Sequence, residues 1–160
     1  FKPLDIKARK SYTVKDKEGH IDFVTSKSPK ENGWFCDNKG IVISGFGLCV
    51  SAEDLAKIGQ MCLNKGMYND KQIVSSKWIE QITTPYIKCD EKFAFMQYGY
   101  LWWIIDEEKK IYSAIGDSGN VIYVNTDKNI VISVTATFKP LVFDRVQFIQ
   151  KYIEPFITSK

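Results

Sequence analysis

The glycine-bracketed polar site Gly116-Asp-Ser-Gly119 constrains this chain most, because strand-like runs press on it from both sides. Upstream lies Tyr98-Gly-Tyr-Leu-Trp-Trp103. Downstream, Val121 and Tyr123, and then Ile130, Ile132 and Val134, recur with a period of two. Glycine inside a strand pattern marks a bulge or a close approach to the backbone. A strand follows Gly119 where a phosphate-cradling loop would open a helix, which argues against a phosphate site. An edge strand offering bare peptide groups to an extended ligand fits the pattern better.

The remaining pattern predicts an α+β chain. Strands are expected at about 98–105, 111–115, 120–125 and 130–136, the last two forming a hairpin around Thr126-Asp-Lys-Asn129. Before them, Ser51 and Asp54 make a helix cap, Leu55, Ile58 and Cys62 form an apolar stripe, and Gly66 is placed to end the helix. Ser76 caps a shorter helix through Trp78, Ile79 and Ile82, closed by Pro85. Residues 86–97 read as loop. After Lys139-Pro140, Asp144 caps a final helix whose Val146, Ile149, Ile153 and Phe156 share a face, with Pro155 limiting its last turn.

Residues 1–40 are polar and punctuated, and predict an irregular segment with an extended piece around Ile21–Thr25, pinned by Trp34 and Phe35. The expected layout is a single domain over 1–160. It has an irregular segment at 1–40, a helical part at 51–84, and an antiparallel sheet with its closing helix at 98–158. Three or four strands under one helix leave one face and at least one edge needing a partner. The chain therefore reads as part of a larger fold, with self-association through the sheet edge as an expectation.

Composition allows this: 160 residues with 44% hydrophobic and 14% aromatic content build a sizeable core. The net charge of +3 comes from lysines scattered among carboxylates, so no nucleic-acid partner is implied. No apolar run spans a bilayer and none resembles a signal peptide. With Phe1 as the first residue this leaves the compartment open. Cys36, Cys49, Cys62 and Cys89 lack metal-ligand spacing, and with His20 as the only imidazole no metal or cofactor is implied. Cys49 and Cys62 read as small buried hydrophobes; reduced thiols are the default, a disulfide the alternative.

Several motifs lose to simpler readings. Gly116-Asp-Ser-Gly119 spells the nucleophile signature of trypsin-like proteases, but His20 sits in a Glu-Gly-His turn and the chain is short for two barrels. His20 itself reads as a solvated turn residue. Gly45-Phe-Gly47 lacks the third glycine of a dinucleotide loop and reads as a turn feeding the capped helix. Tyr98, Tyr100, Trp102 and Trp103 could stack a sugar or base, yet strand alternation with one ring set buried explains them.

Longer stretches carry a family likeness. Gly45-x-Gly-Leu-x-x-Ser-Ala-Glu-Asp-Leu-Ala56, followed by Leu63-Asn-x-Gly66, resembles the serine β-lactamase and penicillin-binding-protein superfamily. The likeness is greatest to its class C β-lactamase, D-alanyl-D-alanine carboxypeptidase and esterase branch. Phe1-Lys-Pro-Leu4, Tyr98-Gly-Tyr-x-Trp-Trp103, Gly116-x-x-Gly119 and the final helix resemble further parts of that family in collinear order. The resemblance covers the C-terminal half of such an enzyme.

That resemblance implies acyl transfer on a β-lactam, peptide, amide or ester. The family's Ser-x-x-Lys and Tyr-x-Asn motifs are expected upstream, and no serine here is followed three residues later by lysine. Tyr123-Val-Asn125 has the letters of the second motif but lies in the hairpin strand. The third motif falls on Asp117-Ser118-Gly119. By resemblance, Ser118 bonds the substrate, Gly119 lets it lie against the strand, and the Asn120 N–H is an oxyanion donor. Asp117 departs from the family's usual cation and works against anionic substrates. Two expectations result. The chain supplies an oxyanion strand and pocket wall to a hydrolase whose nucleophile lies elsewhere, with a small acyl substrate and the N-terminal half of the fold as partner. Alternatively it is a non-catalytic remnant acting as a binding module.

Overall fold

One sheet with apolar residues on both faces organises the molecule. The computed structural model describes residues 1–7, 10–28, 30–93, 95–116, 119–137 and 144–158. Eleven strands are assigned among them: β1 (Lys10–Tyr12), β2 (Gly33–Phe35), β3 (Leu48–Cys49), β4 (Met67–Tyr68), β5 (Lys71–Gln72), β6 (Ile87–Lys88), β7 (Gln97–Tyr98), β8 (Trp103–Asp106), β9 (Ile111–Ile115), β10 (Val121–Asn125) and β11 (Ile130–Val134). The helices are α1 (Lys17–Thr25), α2 (Ala52–Leu63), α3 (Ser76–Ile82), α4 (Arg145–Phe148) and α5 (Glu154–Thr158), with a π turn at Ile149–Ile153 joining the last two. None is long and apolar enough to cross a membrane.

The main sheet is antiparallel throughout, in the order β11-β10-β9-β8-β7-β6. Six strands stand where three or four were expected. The additions come from 86–97, expected as loop, where β6 and β7 pair over two residues each, Ile87 with Tyr98 and Lys88 with Gln97. The expected strand at 98–105 is also divided. Its backbone turns over at Tyr100-Leu101, with Leu101 at φ 64, and Gly99 N–H donates to the Trp102 carbonyl at 2.8 Å. A left-handed leucine cannot continue a strand.

Period-two alternation then sorts the side chains. Tyr112, Ile122 and Val124 face one way with Trp102 and Ile104, where Met61 and Cys62 of α2, Ile79 of α3, Leu4 and Ile6 cover them. Ile111, Val121, Tyr123 and Ile132 face the other way, against Val146 and Ile149 of the closing helix. Both faces are thus covered, contrary to the expectation of an open face. The approach of α2 is close because Gly59 lies against the sheet. A Cβ there would stand 2.5 Å from Val131 Cγ1 and 2.7 Å from Ile122 Cγ2.

Local caps explain the helices. Ser51 Oγ accepts from Asp54 N–H at 3.1 Å at the start of α2, as the Ser-x-x-Asp spacing predicts. At its far end Gly66 N–H donates to the Met61 carbonyl at 2.8 Å. For α3 the cap is Ser75, one residue before the expected Ser76, its Oγ accepting from Trp78 N–H at 3.2 Å. Asp144 precedes α4 without a side-chain cap bond and instead meets Arg145 at 3.6 Å. Pro155 does not end the last helix, which runs on from the π turn through Thr158. The π turn widens the helix and rotates the residues after it, so Phe156 leaves the shared face and is 78% exposed.

The N-terminal part is more ordered than expected. Residues 21–25 are helical, not extended, because Asp16 Oδ1 caps α1 by accepting from Gly19 N–H at 2.8 Å. Strands β1, β2 and β3 form a small separate sheet, β1 parallel to β2, and buried Phe35 packs against Phe23 and Phe46. Asn32 then ties this part to α2, donating to Asp54 Oδ2 at 2.7 Å, while Lys57 holds the other oxygen at 2.9 Å. Burial pushes the Asp54 carboxyl up, but these donors together hold it below the usual carboxylate range.

Candidate active site

The site predicted from the sequence is the turn joining β9 to β10. Asp117 and Ser118 lie outside the described residues. The residues around them form a closed loop: Gly116 N–H donates to the Asn120 carbonyl at 2.8 Å, and Gly119 N–H to the Gly116 carbonyl at 2.9 Å. Gly119 sits at φ 83, a conformation that a side chain would strain. Asn120 Oδ1 accepts from Ala136 N–H at 2.8 Å, which fastens the turn to the segment after β11.

Hydrogen-bond parity shows where the backbone is open. In an antiparallel ladder, hydrogen-bonded and non-bonded pairs alternate. The Gly116–Asn120 bond at one end of the β9–β10 ladder and the Thr126 N–H to Lys110 carbonyl contact at the other fix the phase. Ala114 and Tyr112 therefore bond to β10, while Ile111, Ser113 and Ile115 turn their peptide groups toward β8. Ser113 meets Trp103 there, but Trp103 is the first residue of β8. Continued by two residues, the ladder would set Leu101 opposite Ile115, and there the chain has turned over. Outside the strand ladders, no backbone hydrogen bond from the Ile115 N–H is found among the described residues.

Ile115 is the position that sequence reasoning missed. Its side chain reads as one more apolar strand residue, and only the register of β8 distinguishes it. The bare stretch stands at the end of the rigid five-residue strand β9, beside the glycine turn. Such a donor costs no reorganisation when charge develops on a carbonyl oxygen in front of it.

The other candidate residues have structural surroundings. Tyr123-Val-Asn125 is almost wholly buried, with relative exposures of 0%, 0% and 1%. Tyr123 donates its hydroxyl to Glu154 Oε2 at 2.6 Å, and Asn125 Nδ2 donates to Oε1 at 3.2 Å. Lys128 Nζ completes the group at 2.6 Å from Oε1. Burial raises the Glu154 carboxyl, yet the bonds from Lys128 and Tyr123 outweigh it and hold the group below the usual range. Burial and the Glu154 bond push the Tyr123 hydroxyl up. His20 lies in α1 and not in the expected turn, packed edge-on against Phe46 and Phe35 at centroid distances of 5.1 and 6.1 Å, and is only partly exposed. All four thiols are free; burial pushes that of Cys62 up to about 12, whereas Cys49 is only partly buried.

Comparisons with known proteins agree with this architecture. No family model matches the chain. The 6-aminohexanoate-dimer hydrolase of Paenarthrobacter ureafaciens is 29% identical over 103 residues, which is 60% of this chain and 26% of that protein. A solved structure from Bacillus anthracis, provisionally named 6-aminohexanoate-dimer hydrolase, superposes with a TM-score of 0.57 at 26% identity, covering 76% of this chain and 32% of that one. The chain thus spans between a quarter and a third of the length of these two relatives. Sequence and fold together make this chain a distant homologue of 6-aminohexanoate-dimer hydrolase, a serine hydrolase of the β-lactamase/transpeptidase type, over part of that enzyme's length.

Proposed function

We propose that this chain is the C-terminal segment of a β-lactamase-related serine hydrolase, acting by acyl transfer on an amide, ester, peptide or β-lactam. Its part is to supply the oxyanion strand and one pocket wall. The supporting observation is the bare peptide edge at Ile115, next to the glycine turn and beyond the start of β8. In this reading the Ile115 N–H joins the donor set assigned by resemblance. Ser118 bonds the substrate, Gly119 leaves room for it, and the Asn120 N–H is the further donor.

The reaction needs a serine nucleophile and a lysine to take its proton, and these come from a portion of the enzyme outside the 160 residues. As the serine oxygen attacks, the carbonyl carbon becomes tetrahedral and its oxygen gains charge, which the strand amides stabilise. Asp117 disfavours anionic groups nearby, which points to neutral amides or esters over β-lactams bearing a carboxylate.

This reading also assigns an occupant to the other sheet edge. Parity turns the peptide groups of Val131 and Ser133 outward from β11, a strand apolar on both faces and without lysine or proline. A strand of the remaining hydrolase fold takes that edge, with a second copy of the chain as competitor. Light scattering over a concentration series separates them, since only self-pairing yields a dimer.

The alternative, a non-catalytic binding module, draws on the absence of Ser-x-x-Lys from the sequence. Treatment with a fluorophosphonate probe followed by mass spectrometry tests what the two readings share: the chain stays unlabelled. A covalent adduct on any of its serines contradicts both. A Ser-x-x-Lys motif in frame upstream of Phe1 in the gene selects the hydrolase.

A further inference from the structure

Asn32-Gly33 is the only asparagine–glycine pair in the chain. With no side chain on the second residue, its backbone nitrogen is unshielded and the backbone can bend to bring it onto the asparagine Cγ. The fold cannot dispense with this glycine. A Cβ at residue 33 would stand 2.1 Å from the Lys10 carbonyl oxygen and 2.9 Å from Lys10 Cβ, so any side chain there would push β1 away from β2.

Asn32 in turn carries the tie between the small sheet and α2. Its Nδ2 donates at 2.7 Å to Oδ2 of Asp54, a residue 6% exposed whose other oxygen takes Lys57 Nζ at 2.9 Å. Lys57 also reaches the Asp5 carbonyl at 3.4 Å and Glu53 at 3.9 Å. On the sheet side, the Asn32 carbonyl accepts from Lys10 N–H at 3.2 Å. The site therefore needs a neutral donor at residue 32, facing an anion. The strands that hold it are short, three residues in β1 and β2 and two in β3. A sheet this small opens locally at less cost than the six-stranded ladder. While it is closed, Gly33 is paired on both sides, with Lys10 and Cys49, and the Asn32 amide is held at Asp54.

We propose, independently of the hydrolase reading, that Asn32 is a site of spontaneous deamidation that releases the N-terminal sheet from α2. When the sheet opens, the Gly33 nitrogen attacks Asn32 Cγ. The new C–N bond closes a succinimide ring, the Cγ–Nδ2 bond breaks, and Nδ2 leaves as ammonia with the Gly33 proton. Water then adds to either ring carbonyl and breaks its bond to nitrogen, which regains a proton, leaving aspartate or isoaspartate. Either product sets a carboxylate where the donor stood. Against ionised Asp54 it repels, because two carboxylates sharing one site disfavour each other's charge. Isoaspartate also adds a methylene to the backbone just ahead of β2. Water does not restore the amide, so the tie is undone once.

The test incubates the full chain in mildly alkaline buffer and follows each asparagine by peptide mapping, with fragmentation that separates aspartate from isoaspartate. Asn32 is expected to convert well ahead of Asn38, Asn64 and Asn69, none of which precedes glycine. In the converted chain, hydrogen exchange at the Lys10, Phe35 and Cys36 amides should quicken roughly tenfold or more, the loss of one hydrogen bond to a charged group, with the β9–β10 ladder unchanged. Asn32→Asp produces the same exchange without incubation. Combined with Asp54→Asn it restores the original exchange, since donor and carboxylate have only traded sides. An Asn32 that keeps its amide as long as the other three overturns the modification. Unchanged exchange in the converted chain and in Asn32→Asp overturns the release, and quickened exchange that the double variant fails to restore overturns the Asp54 contact as its cause.

Discussion

At one end of the β9–β10 pair, Tyr123 and Asn125 meet Glu154 and Lys128 in a buried network in which both oxygens of one carboxylate are bonded. At the other end, Gly116 and Gly119 close a turn on themselves, and the edge of Ile115 that parity turns toward β8 lies beyond the first residue of that strand. The same two strands therefore end in opposite ways. Where the closing helix must be fixed, polar groups are buried and paired. In the proposed reading, the ligand is met at the end where the backbone is left bare. The comparison then sets stability and binding at different ends of one hairpin, and substitutions at the two ends should separate them.

The largest effect is expected at the closed end. Replacing Glu154 by alanine strands Lys128, Tyr123 and Asn125 and should cost about 3 kcal/mol, the low end for breaking a buried pair because Lys128 reaches solvent. Urea denaturation measures it, and a loss under about 1 kcal/mol, the range of an exposed pair, would break the contrast. Tyr123→Phe removes one donor from the carboxylate and should cost about 1–2 kcal/mol. Amide binding at Ile115 should be unchanged in that variant. Gly119→Ala strains a residue at φ 83 and should cost about 1 kcal/mol in stability. Here the ordering reverses: this variant, least harmful to folding, should harm amide binding most, as read by the Ile115 N–H chemical shift on titration with a small amide.

The smallest effect concerns pH. The folded Glu154 carboxyl lies below its ordinary value of about 4.3, so its stabilisation is complete above that pH and is lost as pH falls through the folded value. Stability measured across this acid range should fall less steeply in Glu154→Gln than in the unsubstituted chain. Equal slopes would show that the network is not anchored by a charged carboxylate.

The same division governs what could be read in the sequence. Strands 111–115, 121–125 and 130–134 are short apolar runs bounded by turn residues and were legible, as was the Ser51 cap, because each signal is local. The helix at Lys17–Thr25 was missed because glycine and β-branched residues weaken its pattern, and a capping bond from Asp16 decides it. Tyr98 to Trp103 alternates aromatic residues as a strand would, but tertiary contacts from Ile82 turn the chain over at Leu101. The pairing of β6 with β7 is two residues long, too short to leave a periodic trace. The glycine turn could be found by composition. The open amide at Ile115 could not, since it depends on where a different strand begins.

Residue-resolved amide hydrogen exchange tests the account most directly. The Ile115 N–H should exchange far faster than those of its ladder neighbours Ala114 and Ile122, although all three sit in one sheet. Protection of Ile115 equal to that of Ala114 would mean the edge is already occupied, and would contradict the assignment of this strand to ligand binding.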